Sequence, residues 1–217
     1  GATVTGLLVE DGSVAGVETG RRTYRADEVV LAAGWRTREL LADHLELPVR
    51  PYRTQCVVLE PAEPLSGSFP LVRARSEHLY ARPEHNGDLL VGGSPGLTDD
   101  PEGASSNADE SFRRLCARVV PDLFHGFEAA GVVNDWAGVD AATPDARPIV
   151  DAPADAPDGL VVATGFNGLG VMLSPVVGPA VRELLGGVRA PFALDPFGFE
   201  RFDRSGPDFA LTSTSDV

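Results

Sequence analysis

Three glycines within six residues, Gly165-Phe166-Asn167-Gly168-Leu169-Gly170, form the part of this sequence best suited to holding a ligand. They lie between a predicted strand, Leu160–Thr164, and a predicted helix, Val171–Leu185. Glycines at such a junction let backbone approach a ligand closely. The helix start adds N–H groups without intrahelical partners and the positive end of the helix dipole. An anionic group, such as a phosphate or a reduced flavin ring, would be stabilised there. The spacing is not G-x-G-x-x-G, so the dinucleotide fingerprint is absent. A tight turn between strand and helix would read the same way.

The other reactive side chains point to neither a metal site nor a nucleophile. The four histidines, His44, His78, His85 and His125, lack metal-ligand spacing. Cys56 and Cys116 form no CxxC pair, which excludes a zinc finger and a dithiol redox site. They read as reduced cysteines of a cytoplasmic protein. No residue is assigned as a catalytic acid or base.

The chain has 217 residues, 43% hydrophobic and 23% charged. That is ordinary for a folded protein and excludes a disordered tail, a collagen-like fibre or a disulfide mini-protein. It carries 18 basic and 32 acidic residues, a net charge of −14, and every basic residue is an arginine. So acidic a surface repels phosphates and argues against sequence-independent nucleic-acid binding. An acidic chain without lysine fits a GC-rich genome or a halophilic, high-salt cytoplasm where ions screen self-repulsion. The second is the expectation.

The elements that must position the glycine turn come in three stretches. The first has predicted strands at Thr3–Glu10, Ser13–Thr19, Arg22–Arg25 and Glu28–Ala33, with Asp11-Gly12 as a turn. Val29–Ala33 is apolar throughout, as a parallel strand buried on both faces would be. A helix is predicted over Arg36–Glu46, with Leu40, Leu41 and Leu45 on one face. The middle stretch reads as antiparallel sheet plus helix. Tyr52–Glu60 is a strand, His78–Arg82 and Asp88–Gly92 form a hairpin around Asn86-Gly87, and Pro95–Ala108 is an exposed loop. Asp109–Val120 is a helix with Phe112, Leu115, Cys116 and Val119 on one face, and Gly131–Gly138 is extended. The last stretch returns to α/β texture with strands at Ile149-Val150 and Leu160–Thr164. Gly159–Val181 has no charged residue, but its glycines and prolines fit a buried strand–loop–helix better than a membrane span. The chain opens on Gly1 and enters a strand at once without a signal peptide, so a fragment or processed chain is expected.

Five strings then resemble a known family. They are VVLAAG followed by WRTRELL (from Val29), PVRPYRTQCVVLEP (Pro48–Pro61) and LYARPEHNGDLLVGGS (Leu79–Ser94), then WAGVDAATPDARPIV (Trp136–Val150) and GLVVATGFNGLGVMLSPVVGPAVRELL (Gly159–Leu185). In order and spacing they are similar to the FAD-dependent amino-acid oxidase family of glycine oxidases, sarcosine oxidases and D-amino-acid dehydrogenases, over about residues 3–203. The resemblance implies a mixed α/β (α+β) fold. Residues 1–47 and 137–203 would be the remainder of a Rossmann-like FAD-binding domain. Residues 48–136 would be an interleaved substrate-binding domain with an antiparallel sheet, and 204–217 a frayed tail. Family members begin with a strand, a G-x-G-x-x-G turn and a helix that bind the FAD pyrophosphate. This chain has no such motif, so it resembles the carboxyl-terminal portion, and a missing amino-terminal half or a second chain would complete the FAD site.

The resemblance also assigns positions. Val4 matches a valine whose backbone meets the adenine, and Ala33 and Gly34 match a turn near the cofactor. Phe166, Asn167, Gly168, Leu169, Gly170, Val171 and Met172 match the loop and helix start facing the flavin ring. Tyr80 matches an aromatic that touches substrate. Two usual anchors for a substrate carboxylate are replaced, one by Asp140 and one by Met172. Arg53, Arg82 or Arg147 could substitute or be solvated or structural, the latter being the expectation for each, and Asp140 could attract an amine or sit on a turn. The cysteine that tethers flavin in sarcosine oxidase-like members is also missing, with Gly138 or Val139 near that place, so FAD would be non-covalent.

The implied reaction is oxidation of a small amine or amino acid. A C–H hydride passes to the flavin and the imine hydrolyses in water, the protein mainly orienting substrate and tuning the cofactor. Two other expectations stand beside it: a non-catalytic truncated remnant or partner subunit, and a related flavoprotein oxidising a hydroxy acid.

Overall fold

The structure, a computed structural model, describes residues 1–202. The tail expected to fray, 204–217, lies outside the described residues. The chain divides into two compact units. One is Gly1–Arg50 with the described residues from Asp140 onward, and the other is Pro51–Val139.

The first unit contains two three-stranded sheets. Strands β1 (Val4–Glu10), β2 (Ser13–Thr19) and β3 (Thr23–Arg25) form an antiparallel meander, turned at Asp11 and Gly12, both with positive φ. The second sheet has the order β10 (Ile149–Asp151), β11 (Leu160–Thr164), β4 (Val29–Leu31). In it β11 and β4 run parallel, and β10 is antiparallel to β11. Helices α1 (Arg36–Leu41) and α3 (Gly170–Leu184) follow β4 and β11. Val14, Leu31, Leu41, Leu47, Val49, Ala141, Ile149, Leu160, Val162 and Phe199 form the core.

The second unit is a five-stranded sheet with one covering helix. Its strands are β5 (Arg50–Glu60), β6 (Val72–Ala74), β7 (Leu79–Pro83), β8 (Leu89–Leu97) and β9 (Gly131–Ala142), in the order β6-β7-β8-β5-β9, with Arg50 of β5 and the end of β9 from Asp140 counted in the first unit. Alternation along three strands puts Val57 and Leu59, Leu79 and Ala81, and Leu89 and Val91 on one face. There they pack with Phe112, Cys116, Val119 and Val120 of α2 (Glu110–Leu123). The start of α2 is built from β5: Gln55 Oε1 accepts from Asp109 N at 2.6 Å. Arg53 donates to Asp109 Oδ2 at 2.8 Å, to Ser105 O at 3.2 Å and to Asn107 O at 2.6 Å. Arg53 is therefore a structural anchor of this helix and not a free cation for a substrate.

Four sequence expectations need correction. The strand at Val29–Ala33 is shorter and is not buried on both faces: Leu31 is buried, Val30 is 39% exposed, and Ala32 and Ala33 are exposed. Within its sheet β4 is an edge strand. Helix α1 stops at Leu41, where the chain tightens to i→i−3 bonds, Ala42 N to Glu39 O at 3.3 Å and His44 N to Leu41 O at 2.9 Å. Strand β8 continues through Pro95 into the predicted loop, since Tyr52 pairs with Leu97 and Arg53 with Gly96; a register shift follows, and nearby Ser94 takes a positive φ. The short β6 had no sequence signal. Among the described residues, no helix is long and apolar enough to cross a membrane.

Candidate functional site

In the first unit the parallel pair β11 and β4 ends in two turns. Ligands of open parallel sheets collect beyond the carboxyl ends of such strands. After β4, Gly34 takes a positive φ (60°) and Ala33 N donates to Thr37 Oγ1 at 3.1 Å. After β11, Gly165 takes φ 73° and a Cβ there would overlap Thr143 Cγ2. A side-chain bond joins the two turns, Thr164 Oγ1 donating to Gly34 O at 2.8 Å.

The glycine-rich loop is held from the end of β9. Asn167, only 4% exposed and with φ 51°, makes four bonds. Its N donates to Ala141 O at 3.0 Å, and its Oδ1 accepts from Thr143 N at 3.4 Å. Its Nδ2 donates to Thr143 Oγ1 at 3.1 Å and to Gly165 O at 2.6 Å. The Thr143 hydroxyl in turn donates to Arg147 O at 2.7 Å. Next along the loop, Gly168 N donates to Asp140 Oδ2 at 2.7 Å, while Asp140 Oδ1 accepts from Ala141 N at 2.7 Å. Asp140, expected near a substrate, thus spends both carboxylate oxygens on backbone amides.

Helix α3 then begins at Gly170 with no side-chain cap. Its first-turn amides belong to Gly170, Val171 and Met172, the residues whose N–H groups lack intrahelical acceptors. Pro175 cannot bond the Val171 carbonyl, and Ser174 Oγ does so instead at 2.8 Å, which keeps the first turn intact. Val171 is 89% exposed and Met172 61%.

A second knot secures the far side of this network. Arg201 grips Asp145 at 2.9 and 3.2 Å and also donates to the carbonyls of Arg147, Pro148 and Gly198. Burial raises the Asp145 pKa, but hydrogen bonds from Arg201 and from Arg147 N outweigh it, and the carboxyl sits below its ordinary range. The side chain of Arg147 is exposed.

In the second unit Tyr80 and Arg82 lie on the sheet face turned away from α2. Tyr80, Gly92 and Cys56 are register partners on β7, β8 and β5. The Tyr80 ring crosses Gly92, and its hydroxyl reaches Cys56 Sγ at 3.6 Å. Burial, with the Cys56 neighbour adding to it, pushes the Tyr80 phenol above its usual range, so it stays protonated. Arg82 pairs with Glu84 at 2.9 Å.

The structure thus brings Gly34, Asp140 and the Gly165–Gly168 loop into one hydrogen-bonded assembly. Val4 lies apart in the β1–β3 sheet, and Tyr80 and Arg82 belong to the other unit. Sequence reading missed Thr143 and Thr164, both buried. Their partners are distant in the chain, and only the helix-breaking Pro144 beside Thr143 hinted at a special turn.

The family model described as DAO, FAD dependent oxidoreductase, matches residues 1–184. A glycine oxidase of Pseudomonas putida is 33% identical over 196 residues, covering 88% of this chain and 51% of its own. The crystal structure of glycine oxidase from Geobacillus kaustophilus superposes with a TM-score of 0.77 at 26% identity, over 93% of this chain and 52% of that one. L-proline dehydrogenase from P. horikoshii shares the fold, with a TM-score of 0.80 at 24% identity over 95% of this chain and 55% of that one. The chain spans about half the length of the curated relatives it matches.

Proposed function

Because the chain belongs to the FAD dependent oxidoreductase family, we propose that the turns at the carboxyl ends of β4 and β11 hold the flavin-ring end of FAD. The observation that carries this reading is the pinned loop opening onto an uncapped helix start beside a second turn, after a pair of parallel strands. The residues present fit that end of the cofactor. At Gly34 there is open space where a Cβ would stand, so a flat ligand can approach the backbone. Ala33, Gly34 and Phe166–Met172 line the place. They do not fit the pyrophosphate, for which the sequence offers no G-x-G-x-x-G turn.

FAD, when bound, supplies the acceptor for the two electrons of an oxidation. The chain's part is to bind, orient and polarise. The first-turn amides of Gly170, Val171 and Met172 stabilise negative charge on a group held against them. The Val4 backbone serves the adenine end, and the cofactor is held without a covalent bond. The substrate is a small amine or amino acid, with Tyr80 and Arg82 as its contacts. Asp140 is assigned to the loop.

The reading includes residues from outside this chain, supplied by a second chain or by a longer form of the same protein. Its support is α3, apolar along most of its length yet exposed at Val171 and Met172, and Val30 on the neighbouring strand. An apolar helix beside a parallel sheet is a surface that another layer of protein covers. The two free, buried cysteines support a cytoplasmic location.

The test is anaerobic reduction of the FAD-loaded protein, this chain together with the residues that complete its FAD site, by glycine, sarcosine and D-alanine against 2-hydroxy acids; this chain alone is expected to be inactive. Bleaching of the flavin by an amine or amino acid is expected. Bleaching by hydroxy acids alone would move the assignment to that substrate class, and a flavin indifferent to both would make the chain a non-catalytic partner.

A further inference from the structure

We propose that Asp140 is the positioning residue of the glycine-rich loop, deciding which backbone N–H groups face the cofactor. The proposal rests on the cofactor reading above for its functional meaning, but the clamp itself stands on geometry. The amide of Ala141 bonds Asp140 Oδ1 at 2.7 Å and so orients the carboxylate from its own strand. The other oxygen then meets Gly168 N at 2.7 Å. Gly168 has φ 78° and no side chain to hold it, so the loop is free to move here unless its backbone is bonded. The preceding Asn167 is fixed by its own four bonds, and the following Leu169 N bonds Phe166 O at 2.9 Å. Gly168 is the gap between them, and Asp140 closes it.

The consequence is a selection among donors. With Gly168 N consumed by Asp140 and Leu169 N by Phe166, the free amides begin at Gly170. A bond to an ionised carboxylate is roughly twice as strong as one to a neutral acceptor. An asparagine in this place has one uncharged acceptor for the two amides and turns its NH2 toward the other, and an alanine has no acceptor.

The experiment is amide hydrogen exchange on the full chain, comparing the wild type with Asp140→Asn and Asp140→Ala. Gly168 is expected to exchange about tenfold faster or more in Asp140→Ala and by an intermediate factor in Asp140→Asn, while amides of β11 keep their rates. Equal rates at Gly168 in all three would overturn the clamp. If β11 also exchanges faster in Asp140→Ala, Asp140→Asn alone decides, by its effect at Gly168. The same substitutions, in the protein with the rest of its FAD site present, are then titrated with FAD. A weaker dissociation constant or a displaced flavin absorption band in the variants is expected. Faster Gly168 exchange with unchanged flavin affinity and spectrum would overturn the positioning role toward the cofactor. Failure of the cofactor reading itself shows separately, as a wild-type loop whose exchange FAD does not slow.

Discussion

The outer half of the Tyr80 ring passes directly over Gly92 of the neighbouring strand, where a Cβ would overlap it. The glycine is what lets the phenol cross β8 and reach Cys56 on β5. Gly92→Ala must therefore move the ring, and overpacking of this kind costs roughly 1–3 kcal/mol. Urea denaturation measures it. In a Tyr80→Ala background the same substitution is expected to cost far less, because the obstacle is gone.

The pair Arg201–Asp145 sets an acid limit on stability. The Asp145 carboxyl sits below its ordinary range in the folded chain, so the unfolded chain binds this proton more readily. Its contribution is complete above the unfolded carboxylate value of about 3.9 and is lost as pH falls through the lower folded value. The expected result is that Arg201→Met lowers stability at neutral pH and makes the acid fall-off shallower. Melting curves from neutral pH down to about 3 would show it. An unchanged pH slope would contradict the pairing.

Neither thiol should react in the folded protein. Burial raises the Cys56 thiol above its usual value and pushes Cys116 up to about 12, and thiols attack as thiolates. A thiol-colorimetric assay at neutral pH is expected to count none in the native chain and both after denaturation. Rapid native labelling of either would show that its side chain is open to water.

Asn167 bears the glycine loop through a buried network, so Asn167→Ala should be costly. It removes the side-chain partners of Thr143 N, Thr143 Oγ1 and Gly165 O together, in a left-handed backbone that alanine disfavours. A loss of roughly 1–3 kcal/mol is expected for leaving such groups unsatisfied, read by chemical denaturation, with faster exchange at Gly165–Gly168.

How much of this could be read from sequence differs by residue. The Gly165–Gly170 turn was legible because glycines between an apolar strand and an apolar helix mark a local event. The α2 face was legible because Phe112, Cys116 and Val119 recur at helical spacing. The role of Asp140 was not, because its partner Gly168 lies on another element and an aspartate near a strand end has many uses. Arg53 was legible only as one of three arginines open to a structural or a substrate role, and its three acceptors around α2 decide for the structural one. The exposure of Val30 escaped because an apolar run reads as buried whichever side is packed.

The central claim is that the turns after β4 and β11 hold the flavin-ring end of FAD. Its most direct test is hydrogen exchange of this chain together with the residues that complete its FAD site, with and without excess FAD, read at Ala33–Gly34 and at Gly168–Met172. Both segments are expected to slow together while the α2 amides stay unchanged. Protection confined to other segments, or none at saturating FAD, would contradict it.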